Sequence, residues 1–101
     1  MQVTKITIPA GNEIGKCIAI SANFRAHTYN MKQRLAYYRK WEHYYKASPS
    51  DLNKQCLDSA RIEAQDQARR FDTLASEMPE YSRHPDFIKA KEVYEIIKAL
   101  A

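Results

Sequence analysis

The sequence predicts an all-α protein: a long antiparallel helical hairpin followed by a short C-terminal helix, with an N-terminal strand or extended arm. Three observations predict it. Of 101 residues only two are glycine, Gly11 and Gly15, and none follows Gly15; an all-β fold with many tight turns needs more of them. Prolines fall at Pro9, Pro49, Pro79 and Pro85, so they separate long proline-free stretches. Within those stretches apolar residues recur three and four apart, the period of a helix with one buried face.

Residues 1–11 form the arm. Thr4 to Ile8 alternates polar and apolar residues and is rich in β-branched side chains, which reads as a short strand over 2–8 that Pro9 stops. A lone strand is not stable by itself, so this segment pairs with a partner chain, packs on the helices or stays an arm.

Helix one spans 12–47. Asn12 is a fitting N-cap and Glu13 suits a first turn. Its seam reads Ile14, Cys17, Phe24, Met31, Leu35, Tyr38 and Tyr45, interrupted by Ser21, Thr28 and Glu42. Such a helix is about 50 Å long, and Ser21 to Asn23 is the place where the pattern allows a break. Ser48-Pro49-Ser50-Asp51 then punctuates the chain. Ser48 can cap with Pro49 at the first helical position, with Ser50 as the alternative cap. Helix two spans 50–78, with a seam of Leu57, Ala60, Ala64, Gln67, Phe71, Leu74 and Met78. Pro79 ends it. Pro85 and Asp86 open helix three, 85–100, whose face is Phe87, Ala90, Tyr94 and Ile97, widened by Val93, Ile96 and Leu100.

The short link at Ser48 makes the first two helices antiparallel neighbours. Cys17 would then lie roughly 45 Å before the turn and Cys56 about 10 Å after it, too far apart for a disulfide within one hairpin. Both read as buried free thiols, which suits a reducing cytoplasm. No apolar run is long enough to span a membrane, and no signal-peptide core is seen. A thin hairpin leaves much of its seam uncovered, so a homodimer is expected. The net charge of +4 and pI near 9.1 suit nucleic acid or an acidic protein face as partner.

Catalytic patterns are missing. The sequence has no glycine-rich phosphate loop, no Cys-x-x-Cys and no His-Glu-x-x-His. His27, His43 and His84 do not share metal-ligand spacing on one helical face, and each reads as structural. Glu63, Asp66 and Asp72 read as a solvated face, and Cys56 as an inert thiol. The expectation is a binding protein without a cofactor, not an enzyme.

One stretch of helix one stands out. Between Tyr29 and Lys46, six aromatics interleave with Lys32, Arg34, Arg39, Lys40 and Lys46. Tyr37, Trp41 and Tyr44 lie four and three apart and so share a face, with Arg34 and Lys40 beside it. Three readings fit this pattern: packing within the protein or a dimer, a protein interface anchored by Tyr, Trp and Arg, or a platform that stacks single-stranded bases.

Helix two carries a resemblance. Ala60-Arg61-Ile62-Glu63-Ala64-Gln65, then Ala68-Arg69, Phe71, Leu74-Ala75 and Glu77, resembles a segment of the Gam proteins of lambda-type phages. Ile20-Ser21 and Phe24-Arg25 resemble a segment upstream of it in the same family. The resemblance implies an all-helical dimer that binds the host RecBCD nuclease in the bacterial cytoplasm and blocks its hold on a DNA end. Inhibition of this kind needs no catalytic residue. Two features depart from it. DNA mimicry wants an acidic surface, whereas this chain is basic and carries Arg61, Arg69 and Arg70 on the matching helix; the N-terminal strand also has no counterpart. A basic protein could instead modulate the nuclease from an acidic face of the enzyme.

The partner-binding residues expected on these grounds are Arg34, Tyr37, Lys40, Trp41, Tyr44, Arg61, Arg69 and Arg70. The alternatives are a small basic DNA-binding protein using the aromatic and basic helix face, with at least weak DNA contact, and a coiled-coil assembly protein. A ribbon-helix-helix repressor also begins with a strand, but helix one is too long for that module.

Overall fold

A computed structural model describes residues 13–100, with side chains described from Ile18 onward. The chain runs through α1 (Glu13–Ala47), α2 (Asp51–Glu77), a single 3-10 turn (Pro79–Tyr81) and α3 (Pro85–Lys98). The expected strand over 2–8, the Asn12 cap and the side chain of Cys17 lie outside what is described.

α1 is one continuous helix, with no break between Ser21 and Asn23. Its seam differs from the expected one at two positions. The buried line is Ile20, Phe24, His27, Met31, Leu35 and Tyr38, so Ile20 and His27 take the places expected for Ser21 and Thr28. The two hydroxyls flank the seam and are satisfied sideways. Thr28 Oγ1 donates to the Phe24 carbonyl one turn back at 2.9 Å, and Ser21 Oγ donates to Asp86 Oδ2 at the start of α3. Each polar atom has its bond without entering the core.

Ser50, not Ser48, caps α2. It holds an extended backbone, φ −149° and ψ 160°, and its side chain accepts the Asn53 N–H at 3.1 Å. Pro49 therefore precedes the cap and Asp51 occupies the first turn, where its charge favours the helix N-terminus. Asn53 Nδ2 donates to the Ser48 carbonyl at 2.8 Å and so closes the turn. At the other end the Met78 N–H donates to Ala75 O, and the 3-10 turn begins at Pro79, which has no N–H to continue the helix. His84 caps α3: its Nδ1 accepts the Asp86 N–H at 3.1 Å, with Pro85 at the first helical position.

The core lies where all three helices meet. Phe24 of α1 stands edge-on to Phe87 of α3 at 5.3 Å. Phe71 of α2 lies 5.5 Å from Phe87 and 5.8 Å from Tyr94. Ile20, Met31 and Ile97 fill the space around these rings and are fully buried. The face expected on α3 is buried at Phe87, Ala90, Val93, Tyr94 and Ile97. Ile96, expected to widen it, is 45% exposed, because it points along the groove beside α1. Alanines at 60, 64 and 68 let α2 approach closely.

The body measures 57 × 22 × 16 Å. α3 reaches as far as Arg39 on α1 and Ile62 on α2. Beyond that level, among the described residues, only the two-helix hairpin continues, and Tyr45, Cys56 and Leu57 are half-buried there. Cys56 is a free thiol at a partly open position, in contrast to the buried site expected for it. No described helix is long and apolar enough to cross a membrane.

Candidate interaction surface

The aromatic stripe of α1 is a surface feature. Tyr37 and Tyr44 are 45% and 43% exposed, and Trp41 between them is half-buried. The three rings form an edge-to-face ladder: Tyr37 to Trp41 at 6.4 Å and 81°, Trp41 to Tyr44 at 5.5 Å and 78°. Helical spacing of four and three brings the rings together, and the positive ring edge meets the negative face of its neighbour. Lys40 Nζ lies 5.8 Å from the Tyr44 centroid, and His43 flanks the same ring at 6.2 Å. Each ring fixes the next, so three large side chains are held in place before any partner arrives. Such pre-ordering lowers the entropy cost of binding.

The seam residue next to the ladder, Tyr38, is turned inward. Burial, and then the neighbouring Glu42 carboxylate, push its phenol up from the ordinary value. It holds α1 on α2 and does not join the surface.

Apart from Lys40, the expected basic residues do not gather around the ladder. Arg34, one turn before Tyr37, reaches across to α2 and pairs with Glu63 at 3.2 Å. Arg61 is half-covered and pairs with Asp58 at 3.3 Å. Arg69 and Arg70 share Asp66, at 3.2 and 3.3 Å. From the Arg34–Glu63 register, Arg69 and Arg70 lie roughly 13 to 15 Å along the hairpin from Tyr37. The structure therefore brings together Tyr37, Lys40, Trp41 and Tyr44, and leaves Arg34, Arg61, Arg69 and Arg70 as separate ion-paired positions. Arg69 instead borders a shallow cleft of about 420 Å³ between α2 and α3, with Ile62, Tyr94 and Lys98.

Sequence reasoning gave His27 only a structural role, and its environment is distinctive. The ring is 3% exposed, edge-on to Phe71 at 5.9 Å, and its Nδ1 has no hydrogen-bond partner. Burial first, and the Arg70 charge second, lower its pKa from 6.5 to about 4. The imidazole is therefore neutral at physiological pH. It belongs to the core and lies away from the ladder.

Among the described residues, no group of three or more His, Cys, Asp or Glu is placed to hold a metal ion. What the ladder can do is bury aromatic area against a partner and fix its orientation through the phenol and indole polar groups. No family model, curated protein or solved structure matches the chain.

Proposed function

We propose that this chain is a helical, non-enzymatic phage factor that binds the host RecBCD nuclease in the bacterial cytoplasm and blocks or alters its handling of DNA ends. The observation that carries the binding mode is the exposed Tyr37–Trp41–Tyr44 ladder with Lys40 beside it. Clustered Tyr and Trp dominate the energetics of protein interfaces. The partner comes from the resemblance of helix two to Gam. The residues that carry this resemblance divide in the fold: Ala60, Ala64, Ala68, Phe71 and Leu74 are buried, whereas Glu63, Arg69 and Glu77 face solvent. The likeness therefore speaks mainly for a shared way of packing a hairpin, and the contact surface rests on α1. Within this reading a second copy covers the half-buried Tyr45, Cys56 and Leu57 beyond the end of α3, giving a homodimer.

The experiment is degradation of linear double-stranded DNA by purified RecBCD, with and without a molar excess of this protein. Protection that persists when DNA is in excess over the protein supports action on the enzyme. Unchanged degradation sinks the reading. A second reading, direct DNA binding, is favoured by the charge of α1, which holds seven basic and two acidic residues. It predicts an affinity for DNA that falls steeply with salt, about one power of salt concentration per phosphate neutralised.

A further inference from the structure

A second face of α1, turned away from the ladder, forms a groove with α3. Its volume is about 520 Å³ and it is lined by Lys32, Leu35, Ala36 and Arg39 of α1 and by Val93 and Ile96 of α3. The floor is apolar and Ile96 is 45% exposed there. Among the described residues its two cations have no carboxylate partner, whereas the described arginines of α2 are all ion-paired. Arg25, Lys32 and Arg39 stand seven apart along α1, so they form a row on one side with a spacing of about 10.5 Å.

We infer that this groove docks an acidic amphipathic helix of a partner protein, with its apolar residues on Val93 and Ile96 and carboxylates seven apart against Arg25, Lys32 and Arg39. A helix laid between α1 and α3 completes a four-helix arrangement, and a heptad row of acids matches a heptad row of bases, as flanking charges do in coiled coils. The groove's charge and floor select this occupant. The chain's own residues 1–12 include Lys5 and no acidic residue, so they do not complement the cations. A second copy would offer α2, but Asp58, Glu63 and Asp66 there are already bound to Arg61, Arg34, Arg69 and Arg70, and no two of its remaining carboxylates, Asp51, Asp72 and Glu77, stand seven apart to match the cations. Nucleic acid would satisfy the cations and leave Val93 and Ile96 against phosphates, which gain nothing from an apolar floor. The inference does not depend on the ladder or on the identity of its partner.

The test uses the full chain and a synthetic helical peptide of about three heptads, with Leu at the core positions and Glu at the flanking ones. A control peptide carries Gln in place of Glu. Fluorescence anisotropy should show the Glu peptide binding about tenfold or more tightly than the Gln peptide. The double variant Lys32→Glu/Arg39→Glu should abolish that preference, and Ile96→Glu should weaken both peptides. Trp41→Ala should leave peptide binding unchanged, which separates this groove from the ladder. Circular dichroism checks that each variant keeps its helical signal; the substituted side chains are solvent-facing or groove-lining, so the fold should persist. Equal binding of the two peptides, or binding indifferent to Lys32→Glu/Arg39→Glu, overturns the inference. So does a DNA oligonucleotide that binds and is lost in that variant while the peptide fails to bind. A wild-type dimer that sedimentation shows dissolving in the same variant also overturns it, in favour of a second copy.

Discussion

His27 gives the sharpest prediction about stability. The ring is buried with an unpartnered Nδ1, and its pKa falls from 6.5 to about 4. Its folded value is depressed, so between these limits the unfolded chain binds a proton that the folded chain excludes. The full stability is present above pH about 6.5 and is lost as pH falls towards 4. Each pKa unit is worth about 1.4 kcal/mol, so the whole shift amounts to about 3.5 kcal/mol, of which about 2.5 is gone by pH 4.5. A domain of this size has only about 5–15 kcal/mol in total. The assay is urea unfolding followed by circular dichroism, at pH 7.5 and at pH 4.5, for the wild type and for His27→Leu. The variant fills a similar volume with no titratable atom and no unpaired nitrogen. It should equal or exceed the wild type at neutral pH, and it should lose about 2.5 kcal/mol less than the wild type on acidification. Parallel losses in the two proteins would show that the proton goes elsewhere, and the buried neutral histidine would be refuted.

Other predictions follow from the caps, the core and the surface. Ser50→Ala removes the side-chain acceptor for Asn53 N–H and should cost about 1 kcal/mol, read as a lower midpoint in thermal unfolding. Phe24→Ala should cost about 3–5 kcal/mol, because that fully buried ring touches both Phe87 and His84; urea titration measures it. Arg34→Ala breaks the one cross-hairpin ion pair described, but both side chains are about half exposed, so salt-screened losses should stay below about 1 kcal/mol.

Much of the architecture was legible in the sequence, for identifiable reasons. Pro49, Pro79 and Pro85 cannot sit in the interior of an α-helix, so they mark the element ends to within a residue or two. The alanine and phenylalanine seam of α2 is regular, and the structure buries Ala60, Ala64, Gln67, Phe71 and Leu74 as the period requires. α1 was harder. It has large residues on most of its faces, so periodicity alone placed the seam through Ser21 and Thr28, and a histidine did not stand out as a core residue. Only the third dimension shows that His27 packs on Phe71 and that Ser21 reaches Asp86. The ladder was legible as a spacing of four and three. Its exposure was not, because that depends on which side of α1 the helix α3 packs against. The arginines looked available in one dimension; their pairing with Asp58, Glu63 and Asp66 depends on helix register. The groove of Lys32 and Arg39 had one sequence signal, the heptad recurrence of Arg25, Lys32 and Arg39, which means little until α3 supplies Val93 and Ile96 opposite.

The claim that α1 presents an ordered aromatic anchor to a protein partner is tested most directly by binding of this protein to immobilised RecBCD, wild type against Trp41→Ala/Tyr44→Ala. Removing two clustered aromatic anchors from an interface should cost at least about 2 kcal/mol, or about thirtyfold in affinity, with the helical circular dichroism unchanged. Wild-type affinity in the double variant would contradict the claim, and loss of the helical signal would return both rings to a packing role.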